Sequence, residues 1–200
     1  MSAAPKILDD HALDILFREG RSFSKWQDKD VTEVLLKAVY DLMKFGPTEA
    51  NSCPARFVFL KSEAAKERLK PHLDAGNVNK VMTSPVTVLI AQDMKFYDQM
   101  GTLFPHAPGA REWFAGQDEK VKKVALRNSS LQAAYLMLAA RSLGLDCGPM
   151  AGFKPEGINQ EFFPTGDVQV NFICALGYGD RAALHPRNPR LSFDQACEIL

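Results

Sequence analysis

FGPTEANSCPARFVFL, residues 45–60, is the stretch on which the reading of this chain turns. Gly46-Pro47 ends a helix, since proline cannot continue one and glycine accepts the conformations that close it. Thr48, Glu49, Asn51 and Ser52 follow, with Pro54 behind them. They set hydroxyl, carboxylate and amide groups within five residues of one another. Arg56–Leu60 is a mainly apolar run suited to a strand. Loops between apolar elements are usually connectors. One this dense in polar edges suits gripping a polar, planar ligand.

Working outward toward the N-terminus, Val31, Val34, Leu35, Ala38, Val39, Leu42 and Met43 share one helical face. Asp30-x-x-Glu33 has the form of a capping box and predicts where that helix starts. Residues 10–19 form a short helix with Leu13, Leu16 and Phe17 on one side, and residues 1–9 are expected to be flexible. Gly20–Trp26, GRSFSKW, is a polar, basic turn with aromatic punctuation.

Toward the C-terminus, Ser62 caps a helix through Leu69, which Pro71 ends. Asp74–Lys80 reads as an irregular turn. Val86–Ala91, VTVLIA, is β-branched and apolar, the pattern of a buried strand. Residues 93–116 are aromatic and broken by Gly and Pro, a flap or a set of short helices. Asp118–Leu143 is the longest helix. From Leu131 it is so apolar that burial on most sides is expected. Leu145–Phe153, LDCGPMAGF, reads as a tight turn of small residues. Gln169–Leu176 is a strand ended by Gly177-Tyr178-Gly179. Pro186–Arg190 is a basic arm, and Ser192-x-x-Gln195 caps a last helix expected to reach the C-terminus, so that residues 186–200 form an arm and helix. Strands separated by helices, with few hairpin signals, indicate a single α+β domain over residues 1–200 with a mixed or antiparallel sheet flanked by helices.

Composition narrows the function. Lys+Arg and Asp+Glu are both 24, for a formal net charge of zero, and the apolar fraction is 46%. This balance gives no electrostatic reason to expect nucleic acid or a membrane as partner. No apolar run is long enough to span a bilayer. The N-terminus lacks the basic and apolar regions of a signal peptide, so a cytoplasmic location is expected. Cys53, Cys147, Cys174 and Cys197 include no C-x-x-C pair, and His11, His72, His106 and His185 are scattered, so no metal site is expected. Gly177-x-Gly179-x-x-Ala182 imitates a dinucleotide fingerprint, but too little chain follows it to complete a βαβ unit.

No nucleophile elbow, phosphate loop or metalloprotease motif is present. If the chain is an enzyme, this absence points to a bound cofactor as carrier of the reaction. Four scattered stretches can build a cofactor site. Arg21-Ser22-x-Ser24-Lys25 offers cations and hydroxyls to a phosphate. Thr48–Asn51 offers amide and hydroxyl edges. Asn77-x-x-Lys80 offers an amide and a cation. Gly148–Gly152 offers backbone N–H groups beside small side chains, where a flat ring can lie close. Arg190 supplies a further cation. Taken singly, the cations are more often surface charges, Asn77 and Lys80 more often turn residues, and Gly148–Gly152 is as readily a plain loop.

The order of these stretches resembles the FMN-dependent nitroreductase family. It runs R-S-x-S at 21–24, G-P-T-x-A-N-S-x-P-A-R-F at 46–57, N-x-x-K at 77–80, G-L-D-x-G-P-M-x-G-F at 144–153 and P-R-L at 189–191. The strings KFGPTEANSCPARFVFL, LFPHA, RNSSLQAAYL, GLDCGPMAGF and NPRLSFDQAC are similar to the malonic semialdehyde reductase-like branch of bacterial uracil degradation. The resemblance implies a nitroreductase-like fold and an intertwined homodimer with two FMN sites, each built from both chains. It places Arg21, Ser22 and Arg190 at the phosphate and ribityl chain, with Phe23 beside them and Ser24 near the pyrimidine edge of the ring. Thr48, Glu49, Ala50 and Asn51 come from the partner subunit, and Pro47 is among the cofactor-binding residues. Asn77 and Lys80 face the pyrimidine end, and Met150, Ala151 and Gly152 pass along the ring edge.

The activity implied is a ping-pong transfer of hydride from NADH or NADPH through flavin N5, with malonic semialdehyde reduced to 3-hydroxypropionate in pyrimidine degradation. A broad nitro- or quinone-reductase is the alternative. A flavin-binding sensor or partner module with little turnover is the alternative from another class. Phe104 and His106 are candidates for the substrate pocket. His106 is either a proton donor there or a surface loop histidine. The chain departs from the family at Gly20, where many members carry a first basic residue, and at Ala151, where many carry Glu.

Overall fold

The computed structural model describes residues 6–200. Of the segment expected to be flexible, residues 1–5 lie outside the described residues. Residues 6–9 run exposed into helix α1 (Asp10–Leu13), whose first turn Asp9 caps through Ala12 N at 2.8 Å. A π-helical turn, Asp14–Arg18, continues it.

Helix α2 spans Glu33–Met43. Its cap is Thr32, whose hydroxyl accepts from Leu35 N at 3.2 Å. The expected capping box from Asp30 does not form; Asp30 pairs instead with Lys61. Strand β1 (Ala55–Leu60) follows, then α3 (Glu63–Leu69), capped by Ser62 as predicted. Helix α4 (Ala75–Thr83) occupies most of the stretch read as a turn. Val78, Val81 and Met82 pack it into the core, so tertiary burial overrides the turn-like composition of DAGNVNK. Strand β2 is Val86–Asp93. The 93–116 region is a series of short helical turns, among them α5 (Met100–Leu103). Helix α6 (Asp118–Ser142), strand β3 (Asp146–Met150), helix α7 (Pro155–Phe162), strand β4 (Val168–Gly177) and helix α8 (Phe193–Ala196) complete the chain.

The four strands form one sheet in the order β1-β2-β4-β3, and every ladder is antiparallel. A single isolated bridge, Ser22 to Cys147, is parallel. β2 lies in the interior and is buried on both faces, which is why Val86–Ala91 is apolar but for Thr87. Val86, Val88 and Ile90 face a core with α2 and α6, while Leu89 and Ala91 face a second core with α3, α4 and α7. A third cluster around Phe96, Met100, Phe114 and Val121 anchors the 93–116 region, which is therefore packed rather than a free flap.

Three further expectations do not hold. LDCGPMAGF is not a tight turn, since its first half is β3. This strand lies at the sheet edge, where Pro149 loses no ladder bond that a central strand would require. The second half of α6 is also not buried on most sides. Leu131, Ala134 and Tyr135 are exposed, opposite the buried Ala133, Leu136 and Ala140. Helix α8 does carry the expected capping box but stops at Ala196. All of residues 185–200 are exposed, so no tertiary packing holds another turn.

Candidate functional site

The edge strand β3 organises one half of the site. Phe23 N donates to Cys147 O at 2.9 Å, laying the Ser22–Ser24 backbone along that edge. The Phe23 ring, expected beside a cofactor, is only 1% exposed. It packs against Gly179, where any Cβ would stand 2.1 Å from the ring. That contact explains the glycine of the apparent dinucleotide motif without a phosphate, and with its N–H on Cys147 O and its ring buried Phe23 is a packing residue rather than a ligand contact.

The C-terminal arm closes over the same place. Arg21 donates to His185 O, while Arg187 donates to Arg18 O at 2.6 Å and to Gly20 O at 3.0 Å. Two segments far apart in the chain thus exchange guanidinium-to-carbonyl bonds. Between them lies a cavity of about 290 Å³, lined by Arg21, Ser22, Ser24, Arg141, Arg187 and Arg190 among others. Arg190 donates to Asn188 O and Pro189 O, and Arg141 to Leu16 O.

Among the described residues, none of these four arginines has a carboxylate within 4.0 Å. Arg18, Arg56, Arg68, Arg111 and Arg127 each do. Four guanidiniums gathered without an acid make a receptor for an anion with several oxygens, such as a phosphate.

Where β3 ends, the chain passes through Ala151, exposed, to Gly152. Gly152 O accepts from Asn77 Nδ2 at 2.8 Å and from Asp74 N at 3.1 Å. Asn77 therefore holds this small-residue loop against α4. Lys80, one turn on, is half-buried and makes no ion pair among the described residues. Its carbonyl takes the Trp26 indole at 3.2 Å, tying α4 to the Ser22–Trp26 segment. Met150 is buried.

The other half is the opening stretch. Ala50, Asn51 and Cys53 all have positive φ, at 49°, 50° and 41°. Non-glycine residues rarely adopt this region, and each costs about 1 kcal/mol or more there. The loop is over-determined by its surroundings. Asn128 of α6, 1% exposed, accepts from Glu49 N at 2.7 Å and donates to Val124 O. Gln132 accepts from Ala55 N at 2.9 Å. Asn51 donates to Leu103 O at 2.8 Å, and Ala50 packs on the Phe96 cluster. Phe104 and His106 belong to this half too, their ring centroids 3.9 Å apart. Pro47 is exposed. The cavity here, about 570 Å³, is lined by Tyr40, Asn51, Cys53, Arg56, Leu103 and Gln132 and shares no residue with the arginine-lined one.

The fold thus brings Arg21, Ser22, Ser24 and Arg190 together, and separately groups Thr48–Asn51 with Phe104 and His106. It does not join the two groups within one chain. The neighbouring Cys174 thiol and burial hold the Cys147 thiol well above its usual range, and its Sγ donates to Met137 O. Among the described residues, no three His, Cys, Asp or Glu side chains cluster to hold a metal, and no helix is long and apolar enough to cross a membrane.

The nitroreductase family pattern matches residues 18–178. The chain belongs to the nitroreductase family. A protein of Ralstonia nicotianae named "Putative NADH dehydrogenase/NAD(P)H nitroreductase" is 54% identical over 193 residues, covering 96% of this chain and 98% of the relative. A Polynucleobacter asymbioticus protein of the same description is 50% identical over 194 residues, covering 97% and 98%. Among solved structures, a "putative nitroreductase in complex with FMN" from Exiguobacterium sibiricum shares the fold. Its TM-score is 0.86 at 20% identity, covering 99% of this chain and all of that one.

Four residues of this nitroreductase chain escaped the sequence reading. Arg141 and Arg187 join the arginine cavity, and Asn128 and Gln132 hold the strained loop. Arg187 lies in the arm already read as basic. The signal for Asn128 and Gln132 was their polarity on the inward face of a long helix, where the apolar period predicts core residues. Arg141 carried no signal, being a lone cation in a helix's last turn, where cations are ordinary.

Proposed function

We propose that the chain is an FMN-dependent NAD(P)H oxidoreductase that acts as a homodimer with two shared sites. The observation that carries this reading is the carboxylate-free set of arginines around the Ser22–Ser24 segment that runs along the edge of β3. The cavity they line suits the phosphate, and the Met150–Gly152 loop offers a flat approach to a ring. Arg21, Arg190 and Ser22 hold the phosphate end, and Ser24 lies toward the ring. Asn77 fixes the loop through Gly152 O, and Lys80 keeps an ammonium free to balance negative charge at the pyrimidine end. When bound, FMN supplies two-electron chemistry, the passage of a hydride from reduced nicotinamide to substrate.

The separation of the two half-sites supports the dimer. Thr48–Asn51 and Pro47 of one chain complete the site of its twin, with Phe104 and His106 shaping the substrate end. Val34 and Phe45, 78% and 79% exposed, and Leu42, Leu131 and Tyr135 provide apolar surface on α2, its C-terminal end and α6 for that contact.

For substrate we favour a small aldehyde, malonic semialdehyde, reduced to 3-hydroxypropionate in the cytoplasm. This rests on the resemblance of residues 44–60, 103–107, 127–136, 144–153 and 188–197. A nitro- or quinone-reductase is the second reading, its nitro half favoured by the relatives named NAD(P)H nitroreductase. The test is in three parts: the absorption spectrum and mass of the released chromophore, the particle mass in solution, and steady-state rates on both substrate types. A colourless monomer refutes the proposal. A yellow dimer that turns over nitroaromatics but not the semialdehyde replaces the first substrate with the second.

A further inference from the structure

We infer that Arg141, in the last turn of α6, is a phosphate-binding residue of the site proposed above, and that position 20 is glycine to make room for it. The inference rests on reading the arginine cavity as a flavin phosphate site.

The geometry at Gly20 is the starting point. A Cβ built there would stand 2.6 Å from Arg141 Cζ, 2.7 Å from Nη1 and 3.0 Å from Nε. The guanidinium of a distant helix therefore occupies the space of a side chain at position 20. The carbonyl of the same glycine accepts from Arg187 at 3.0 Å, so two cations converge on one residue.

Arg141 also has donors to spare. It makes one hydrogen bond, to Leu16 O at 3.0 Å, out of five N–H groups. It lines the arginine cavity and a neighbouring one of about 310 Å³ that contains Glu19 and Asp146. Among the described residues it nevertheless pairs with no carboxylate within 4.0 Å, although two acids line the adjoining space. Asp146 accepts from Gly179 N at 2.9 Å instead, and a half-buried guanidinium that pairs with neither nearby acid and lines a cavity with three other arginines is arranged for an anion from outside.

The rival account is that Arg141 only complements the carbonyl end of α6. The two differ in what they say about phosphate. The full chain, freed of flavin by dialysis, is titrated with FMN and with riboflavin, which lacks the phosphate, following flavin fluorescence. Arg141→Gln is expected to weaken FMN by about tenfold or more, the worth of one charge-assisted bond, while riboflavin changes less than about twofold.

Gly20→Ala keeps Arg141 but displaces its flexible guanidinium. It is expected to weaken FMN by roughly threefold or more, and to add nothing when combined with Arg141→Gln. Arg141→Lys, which keeps the charge, retains most of the discrimination and carries the test with Gly20→Ala if the Gln variant folds poorly. An unchanged ratio of FMN to riboflavin affinity in Arg141→Gln overturns the inference, as does an equal loss of both flavins. An unaltered protein that binds both flavins equally well removes the phosphate site and Arg141's role together. One that binds neither removes the proposed function itself.

Discussion

The two halves of the candidate site are built on opposite principles. The arginine cavity is charged and assembled from exposed chain: a segment at residues 18–24, an arm at 185–190 and the end of a helix, joined by guanidinium-to-carbonyl bonds. The Thr48–Cys53 loop is nearly neutral and tightly determined. It has three residues at positive φ and two buried amides beneath it. One half waits for an anion to settle its charge; the other is set in shape before any ligand arrives. The charged half should therefore respond to cofactor, salt and charge deletion. The shaped half should respond to the loss of its internal supports.

The largest expected effect falls on the charged half. Replacing Arg21 and Arg190 together by Ala should lower FMN affinity by ~100-fold or more, because each removes charge-assisted hydrogen bonds. The fold should survive, since neither pairs with an acid. Full flavin occupancy at equal protein yield would break the contrast. Raising the salt should weaken FMN in the unaltered protein and much less in the double variant.

Next comes the support of the shaped half. Asn128→Ala leaves the part-buried Glu49 N–H without its 2.7 Å partner and removes the buried amide's own bond to Val124 O, and should cost about 1–2 kcal/mol by denaturant melting. Both chains of the homodimer carry the change, so every site receives a loosened loop from its twin, and turnover should fall more than FMN affinity, which the arginine cavity dominates. Equal loss of both would mean that the two halves are not independent.

A smaller effect tests the strain itself. Ala50→Gly relieves a left-handed alanine at φ 49° and should raise stability by roughly 0.5–1 kcal/mol while slowing turnover. A destabilised variant would show that the alanine methyl's packing on the Phe96 cluster outweighs its strain.

The smallest effect lies outside both halves and serves as a control. Burial holds the Lys66 ammonium below its usual pKa, and its Nζ donates to Ser84 O. The folded chain thus binds this proton less readily than the unfolded one. Stability relative to Lys66→Gln should rise as pH climbs from the lowered value toward the ordinary 10.5. FMN binding should not change between the two proteins. Parallel pH profiles of stability would deny the burial effect.

How much of this was legible in the residues depends on where each element draws its stability. β2 could be read because both its faces are buried, so Val86–Ala91 is β-branched and apolar almost throughout. Ser62 and the Ser192 box could be read because a cap is a local bond between near neighbours. β3 could not, since Gly148-Pro149 reads as a turn and its pairing depends on β4, more than twenty residues away. α4 could not, because its helix forms on Val78, Val81 and Met82 meeting a core, not on the propensity of Gly76 and Asn77. The site followed the same rule. Arg21, Ser22, Ser24 and Arg190 came from ordered motifs and do meet in one cavity. Arg141 belongs to that cavity only through the path of α6, which no local pattern reports.

Helix α6 touches both halves, carrying Asn128 and Gln132 under the loop and Arg141 over Gly20. It is a shaft on which both are keyed, about 20 Å apart along its axis between residues 128 and 141. Adding a single residue between them would rotate the far key by about 100° and swing the guanidinium out of its slot, with the near key undisturbed. In a two-fold pair the same shaft gauges the span each twin must bridge. Insertions in this helix should thus be far less tolerated than its exposed sequence would suggest.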